Sequence, residues 1–210
     1  SSGSQGQPGG APASGGQGRP AGGAAGTGGF SDVANSDWYG EAVAYVSGRG
    51  LMNGTSAAAF NPGSTTSRAM IAVILYRLEG SPAVSGSGAF SDVASGAYYA
   101  DAVRWAAQNG IVTGYSSGAF APNDGMTREQ LAAILYRYAS YKGYDCSELA
   151  DLSGFADNGS VNGYAMTAMA WANQAGIISG TGGSLLNPGG SATRAQLSVI
   201  LMRFCKSFAV

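Results

Sequence analysis

Residues 110–138 read "GIVTGYSSGAFAPNDGMTREQLAAILYRY", and this stretch contains the whole logic of the fold. Its second half carries Leu131, Ile134, Leu135 and Tyr138 at i, i+3, i+4 and i+7, one apolar face of a 3.6-residue period. A helix should begin just after Thr127. Thr127 and Gln130 have the spacing of a capping box, in which the hydroxyl accepts from the third backbone N–H and the glutamine reaches back to the cap. The first half closes an earlier helix, because Gly110 followed by apolar Ile111 reads as a left-handed terminating residue whose neighbour packs on the last turn. Gly114 and Pro122 then hold the chain in a loop. The stretch is therefore the middle of a helix-loop-helix unit.

The same order of landmarks occurs three times, which identifies a repeat array. The units open with "FSDVANSDWY" at Phe30, "FSDVASGAYY" at Phe90 and "FADNGSVNGY" at Phe155. In the first helices Trp38/Ala42/Tyr45, Tyr98/Ala102/Trp105 and Tyr164/Ala168/Trp171 recur at i, i+4 and i+7, an aromatic stripe. Gly50, Gly110 and Gly176 close those helices, Gly54, Gly114 and Gly180 follow in the loops, and then come Pro62, Pro122 and Pro188. The second helices present Ile71/Ile74/Leu75/Leu78 and Leu197/Ile200/Leu201/Phe204 beside the run already quoted. The expected units are 30–80, 90–142 and 155–208. Two helices of about twelve residues cannot enclose a core alone, so neighbouring units must pack together. The expected class is all-α.

One residue runs against local helix chemistry. Arg68, Arg128 and Arg194, 60 and 66 residues apart, stand directly behind the expected caps Ser67, Thr127 and Thr193. There a cation opposes the helix dipole at a cost of roughly 0.3–1 kcal/mol. Two readings stand side by side. Each arginine can form an internal ion pair with Asp32, Asp92 or Asp157, the acid two residues after each opening phenylalanine. Alternatively its guanidinium and the free N–H groups of the helix start form a fork for a carboxylate or another anion. The second reading predicts that Arg128→Ala weakens ligand binding with little change in melting temperature; the first predicts a loss of stability. Trp38, Tyr98 and Tyr164 near the helix starts suit a sugar ring, whereas Tyr45, Trp105 and Trp171 suit the core. Met70 in the first unit supplies no reciprocal cap, so that helix start should be the weakest.

Composition narrows the function. Hydrophobic residues make up 45% of the 210 and charged residues 11%, with a net charge near −1. That balance offers no footprint for nucleic acid or for an anionic membrane surface, and no apolar run is long enough to span a bilayer. Histidine is absent, which removes triads built on it and histidine metal sites. With 12 acids, most at recurring positions, an enzyme is not expected, nor is a metal or cofactor. Cys146 and Cys205 read as free thiols, joined only if the compartment is oxidising. Residues 1–29 hold 12 Gly and 3 Pro, the composition of a flexible tether of roughly 30 Å. Such a tether suits a cargo placed upstream.

The sequence F-x-D, aromatic, Gly-Ile/Leu-x-x-Gly, F-x-P and Thr-Arg resembles the S-layer homology domain, a family whose units commonly occur in threes. The resemblance covers about 180 of the 210 residues. It implies a pseudo-threefold spindle of three tandem repeats with grooves between them. It also implies an extracellular place at the bacterial cell wall and non-covalent anchoring of an exported protein to secondary cell-wall polysaccharide, commonly one bearing ketal-linked pyruvate. On that view Arg68, Arg128 and Arg194, with Asp32, Asp92 and Asp157, Trp38, Tyr98 and Tyr164, and Gly54, Gly114 and Gly180, are the candidate ligand-binding residues. The alternative is a protein-interaction or self-assembly scaffold. The family's Thr-Arg-Ala-Glu appears here as "SRAM", "TREQ" and "TRAQ", without the glutamate, and the third unit has Leu186 for phenylalanine, "ADN" for "SDV" and one inserted residue. Three equivalent grooves are therefore not expected.

Overall fold

Residues 29–210 are described by a computed structural model. They hold six α-helices: α1 (Gly40–Gly48), α2 (Arg68–Leu78), α3 (Ala100–Gln108), α4 (Arg128–Tyr141), α5 (Met166–Gln174) and α6 (Arg194–Phe208). The tether expected over residues 1–29 lies, Gly29 apart, outside the described residues. No strand forms among them, and the fold is an all-α repeat.

Each second helix starts where its hydroxyl cap dictates. Ser67, Thr127 and Thr193 are extended (ψ 161°, 162° and 164°), and each side-chain oxygen accepts from the N–H three residues on. The glutamines complete the box at Thr127 and Thr193 but Met70 cannot at Ser67, as the side-chain chemistry requires. Each first helix ends in a Schellman turn. Gly50, Gly110 and Gly176 have φ near +68°, +68° and +69°. Leu51, Ile111 and Ile177 then donate back to Val46, Ala106 and Ala172 at 2.9, 2.8 and 2.9 Å.

The first helices begin later than the aromatic stripe suggested. Trp38, Tyr98 and Tyr164 precede α1, α3 and α5 by two residues and are 67%, 77% and 57% exposed. The cause is a tight turn ahead of each helix, in which Gly40, Ala100 and Ala165 donate to carbonyls three residues back. The inner members of the stripe do pack: Trp105 and Trp171 are buried and Tyr45 is half-buried.

Helix pairing follows a cycle rather than a stack. The principal contacts are α2 with α3, α4 with α5, and α6 with α1. Every second helix thus buries its apolar face on the first helix of the next unit, and the third unit closes on the first. One connected core results, with Phe60, Phe120 and Leu186 at equivalent places and wholly inaccessible to solvent. At its centre the loops ahead of α2, α4 and α6 join in a ring. Thr66 donates to Ala192, Ala192 to Met126 and Met126 to Thr66, each at 2.9 Å.

Candidate functional site

The cyclic pairing decides where the three arginines go. Arg68, Arg128 and Arg194 are 6%, 5% and 5% exposed, and each guanidinium crosses into the next unit. Arg68 donates through Nε to Phe120 O (2.7 Å) and through Nη2 to Thr113 O (3.0 Å). Arg128 does the same to Leu186 O (2.9 Å) and Ser179 O (2.6 Å), and Arg194 to Phe60 O (2.7 Å) and Asn53 O (2.6 Å). Rings support two of them: Arg68 lies 4.7 Å from the centroid of Tyr115 and Arg194 lies 4.3 Å from that of Phe60.

Both sequence readings of these arginines need correction. No ion pair joins them to the acids among the described residues. Asp32 instead accepts from the N–H groups of Phe60 and Asn61, Asp92 from Phe120 and Ala121, and Asp157 from Leu186 and Asn187, all at 2.7–2.9 Å. Two converging backbone donors satisfy a carboxylate as well as a guanidinium does. The N–H of Phe60, Phe120 or Leu186 is the main cause holding each carboxyl below its ordinary pKa, partly offset by burial, with Arg194, Arg68 and Arg128 adding the weakest pull.

The helix starts are not free either. The N–H groups of Arg68, Arg128 and Arg194 donate to Asp124 O, Gly190 O and Ser64 O, and those of Ala69, Glu129 and Ala195 to Pro122 O, Pro188 O and Pro62 O. A helix N-terminus already supplied with carbonyls no longer attracts an anion, and the same carbonyls relieve the arginine's conflict with the dipole. Burial lowers the pKa of Arg128 and Arg194, against the opposing charge of Asp157 and Asp32; a guanidinium keeps its proton regardless.

What remains of each guanidinium faces a groove. Groove A, of about 330 Å³, brings Arg68 from the first unit together with Gly114, Tyr115, Gln130 and Arg137 from the second and Tyr164 from the third. Groove B, of about 400 Å³, repeats this with Arg128, Gly180, Gln196 and Arg203, and with Trp38 of the first unit. Groove C, of about 210 Å³, has Arg194, Gly54, Met70 and Arg77, and Tyr98 of the second unit. Every groove thus draws residues from all three units. Of the residues singled out in the sequence, the arginines, glycines and exposed aromatics converge, and Asp32, Asp92 and Asp157 do not line any groove.

The glycines act by absence. A Cβ on Gly54 would lie 2.4 Å from Phe30 and 2.5 Å from Ser56 O, and on Gly114 it would lie 2.7 Å from Phe90 and 2.8 Å from Ala119 O. Only a bare backbone lets the opening phenylalanine seat beneath the groove floor.

Sequence reasoning missed the second arginine of each groove. Arg77, Arg137 and Arg203 each follow the first by nine positions, a recurrence that would have revealed them had they not been hidden inside apolar runs. Arg203 donates to Ser179 Oγ at 3.1 Å and Arg77 to Leu51 O at 3.2 Å. Glu129 was missed as well. It is 4% exposed and accepts from Asn162 N (3.0 Å), Asn162 Nδ2 (2.6 Å) and Tyr164 OH (3.3 Å). Burial, then Glu129, pushes the Tyr164 phenol up to about 12, so it remains a neutral donor. Tyr164 is therefore moored over groove A.

The two cysteines do not line any of the grooves. Cys146 and Cys205 are both free, the second buried with its thiol pKa raised by that burial. No helix among the described residues is long and apolar enough to cross a membrane.

Comparison with known proteins falls on the same three units. The family model described as S-layer homology domain matches residues 29–70, 89–132 and 155–198. An amylopullulanase of Thermoanaerobacterium thermosulfurigenes is 31% identical over 172 residues, which is 82% of this chain and 9% of that protein. The exoglucanase XynX of Acetivibrio thermocellus is 30% identical over 82% of this chain and 16% of that protein. The surface-layer 125 kDa protein of Lysinibacillus sphaericus is 35% identical over 78% of this chain and 14% of that protein. The chain thus spans less than a fifth of the length of each of these relatives.

Proposed function

The chain belongs to the S-layer homology domain family, whose modules anchor proteins to the cell wall, and from that premise we propose that it is a non-catalytic anchor holding an exported protein at the bacterial surface. Its ligand is secondary cell-wall polysaccharide, bound in the grooves between units through an anionic substituent such as ketal-linked pyruvate. The observation that carries this reading is the recurrence, in the lining of every groove, of two arginines from consecutive units together with an exposed aromatic from the remaining unit. The inner arginine is fixed by two carbonyls and leaves an outward edge, and the outer one supplies a second charge. A carboxylate takes a fork of guanidinium donors well. Trp38, Tyr98 and Tyr164 supply the apolar face on which a pyranose ring stacks.

Calorimetry with purified wall polysaccharide, with and without its pyruvate, tests the proposal. Binding should be strong with the intact polymer and largely lost after depyruvylation. Equal affinity for both polymers overturns the carboxylate reading. Concentration-dependent oligomers that form without glycan, together with no binding to either polymer, would favour a scaffold instead.

A further inference from the structure

The three grooves differ at one position that bears directly on the arginine. Gln130 and Gln196, which line grooves A and B, fold back on their own caps. In groove C the equivalent residue is Met70, and its sulfur lies 3.6 Å from Nη1 of Arg194. Nε and Nη2 of Arg194 are already engaged with Phe60 O and Asn53 O. The thioether therefore covers the edge that a ligand would need. A thioether is a weak acceptor and donates nothing, so it shields the guanidinium without satisfying it. Groove C also has the smallest volume of the three, about 210 Å³ against 330 and 400 Å³.

We propose that only grooves A and B accept an anionic sugar and that Met70 is the residue that sets this number. The proposal rests on the wall-binding reading above. To reach Arg194 a carboxylate must displace the methionine, and it then meets a methyl group where grooves A and B offer a carboxamide. One hydrogen bond to a charged group is lost, so binding in groove C should be roughly 10- to 100-fold weaker. Nothing else in the groove is missing, since Arg77, Gly54 and Tyr98 hold the places of their counterparts.

The probe is a monosaccharide carrying one ketal-linked pyruvate, titrated calorimetrically into the full chain. Wild type should bind two equivalents. Met70→Gln should bind three and should melt no lower than wild type, because it completes the box at Ser67. If that variant does not fold, Met70→Ala uncovers Arg194 without adding a polar group and should reveal a third, weaker site. Three equal sites in the wild type would overturn this proposal and leave the wall-binding reading standing. Two sites in both wild type and a folded Met70→Gln would overturn the role of Met70. An absence of binding by every variant would overturn the wall-binding reading, and this proposal with it.

Discussion

Arg194 Nε lies 2.7 Å from the carbonyl oxygen of Phe60, 134 residues earlier in the chain. This bond ties the last helix to the first loop, and its counterparts Arg68–Phe120 and Arg128–Leu186 tie the other units in the same sense. The inner arginines therefore hold the units together, and the surface they leave over is what a ligand can use.

That dual role changes the outcome expected for Arg128→Ala. The substitution leaves the carbonyls of Leu186 and Ser179 without their donor and removes the packed stem, so about 3 kcal/mol of stability should be lost along with ligand affinity. Arg137→Ala acts on a groove-lining residue that is only partly buried. It should weaken glycan binding while shifting stability by less than about 0.5 kcal/mol. Urea unfolding alongside calorimetry separates the two effects.

Ala121 has φ +54°, whereas Asn61 and Asn187 occupy the same left-handed place in the other units with φ +55° and +52°. Asparagine tolerates that region and alanine does so poorly. Ala121→Asn should raise stability by about 0.5–1 kcal/mol. A lowered melting temperature would contradict the assignment of strain to this turn.

Gly114→Ala should cost more than about 2 kcal/mol, because the new methyl meets Phe90 on one side and the Ala119 carbonyl on the other. Combining it with Phe90→Leu should recover part of the loss. If the single variant melts like wild type, the seat beneath groove A is looser than described.

Asp32, Asp92 and Asp157 all have folded pKa values below their ordinary ones. Such groups bind fewer protons in the folded state, so their contribution is fully present above the unfolded carboxylate pKa of about 3.9 and is lost as pH falls through the lower folded values. The melting temperature should be nearly flat with respect to these groups above about pH 5 and should drop below about pH 4. Replacing all three with asparagine should lower the plateau and flatten that drop; an unchanged acid limb would show that other carboxylates govern it.

The helices, their caps and their terminating glycines were legible in the sequence because each depends on residues within a few positions of one another. Thr127 with Gln130, and Gly110 with Ile111, carry their own geometry. Partnership across the array was not legible. An apolar face such as Leu131/Ile134/Leu135 states that something covers it but not that α5 of the next unit does, and so the arginines were matched to acids within their own units. Asp92 turned out to serve the N–H groups of Phe120 and Ala121, a local demand that leaves no trace in residue types. Glu129 escaped notice for the opposite reason: Asn162, which it holds, lies 33 residues away in the unit with the inserted residue.

The ring of backbone bonds through Thr66, Met126 and Ala192 makes closure of the fold depend on all three units at once. Its first member waits for an acceptor 126 residues further on. Of the ring's three links only that from Met126 to Thr66 lies within the first two units, so a chain growing from its N-terminus cannot close the ring until the third unit is present. Removing the third repeat would leave α1 without α6 and α4 without α5, an unclosed pair with two bare apolar faces.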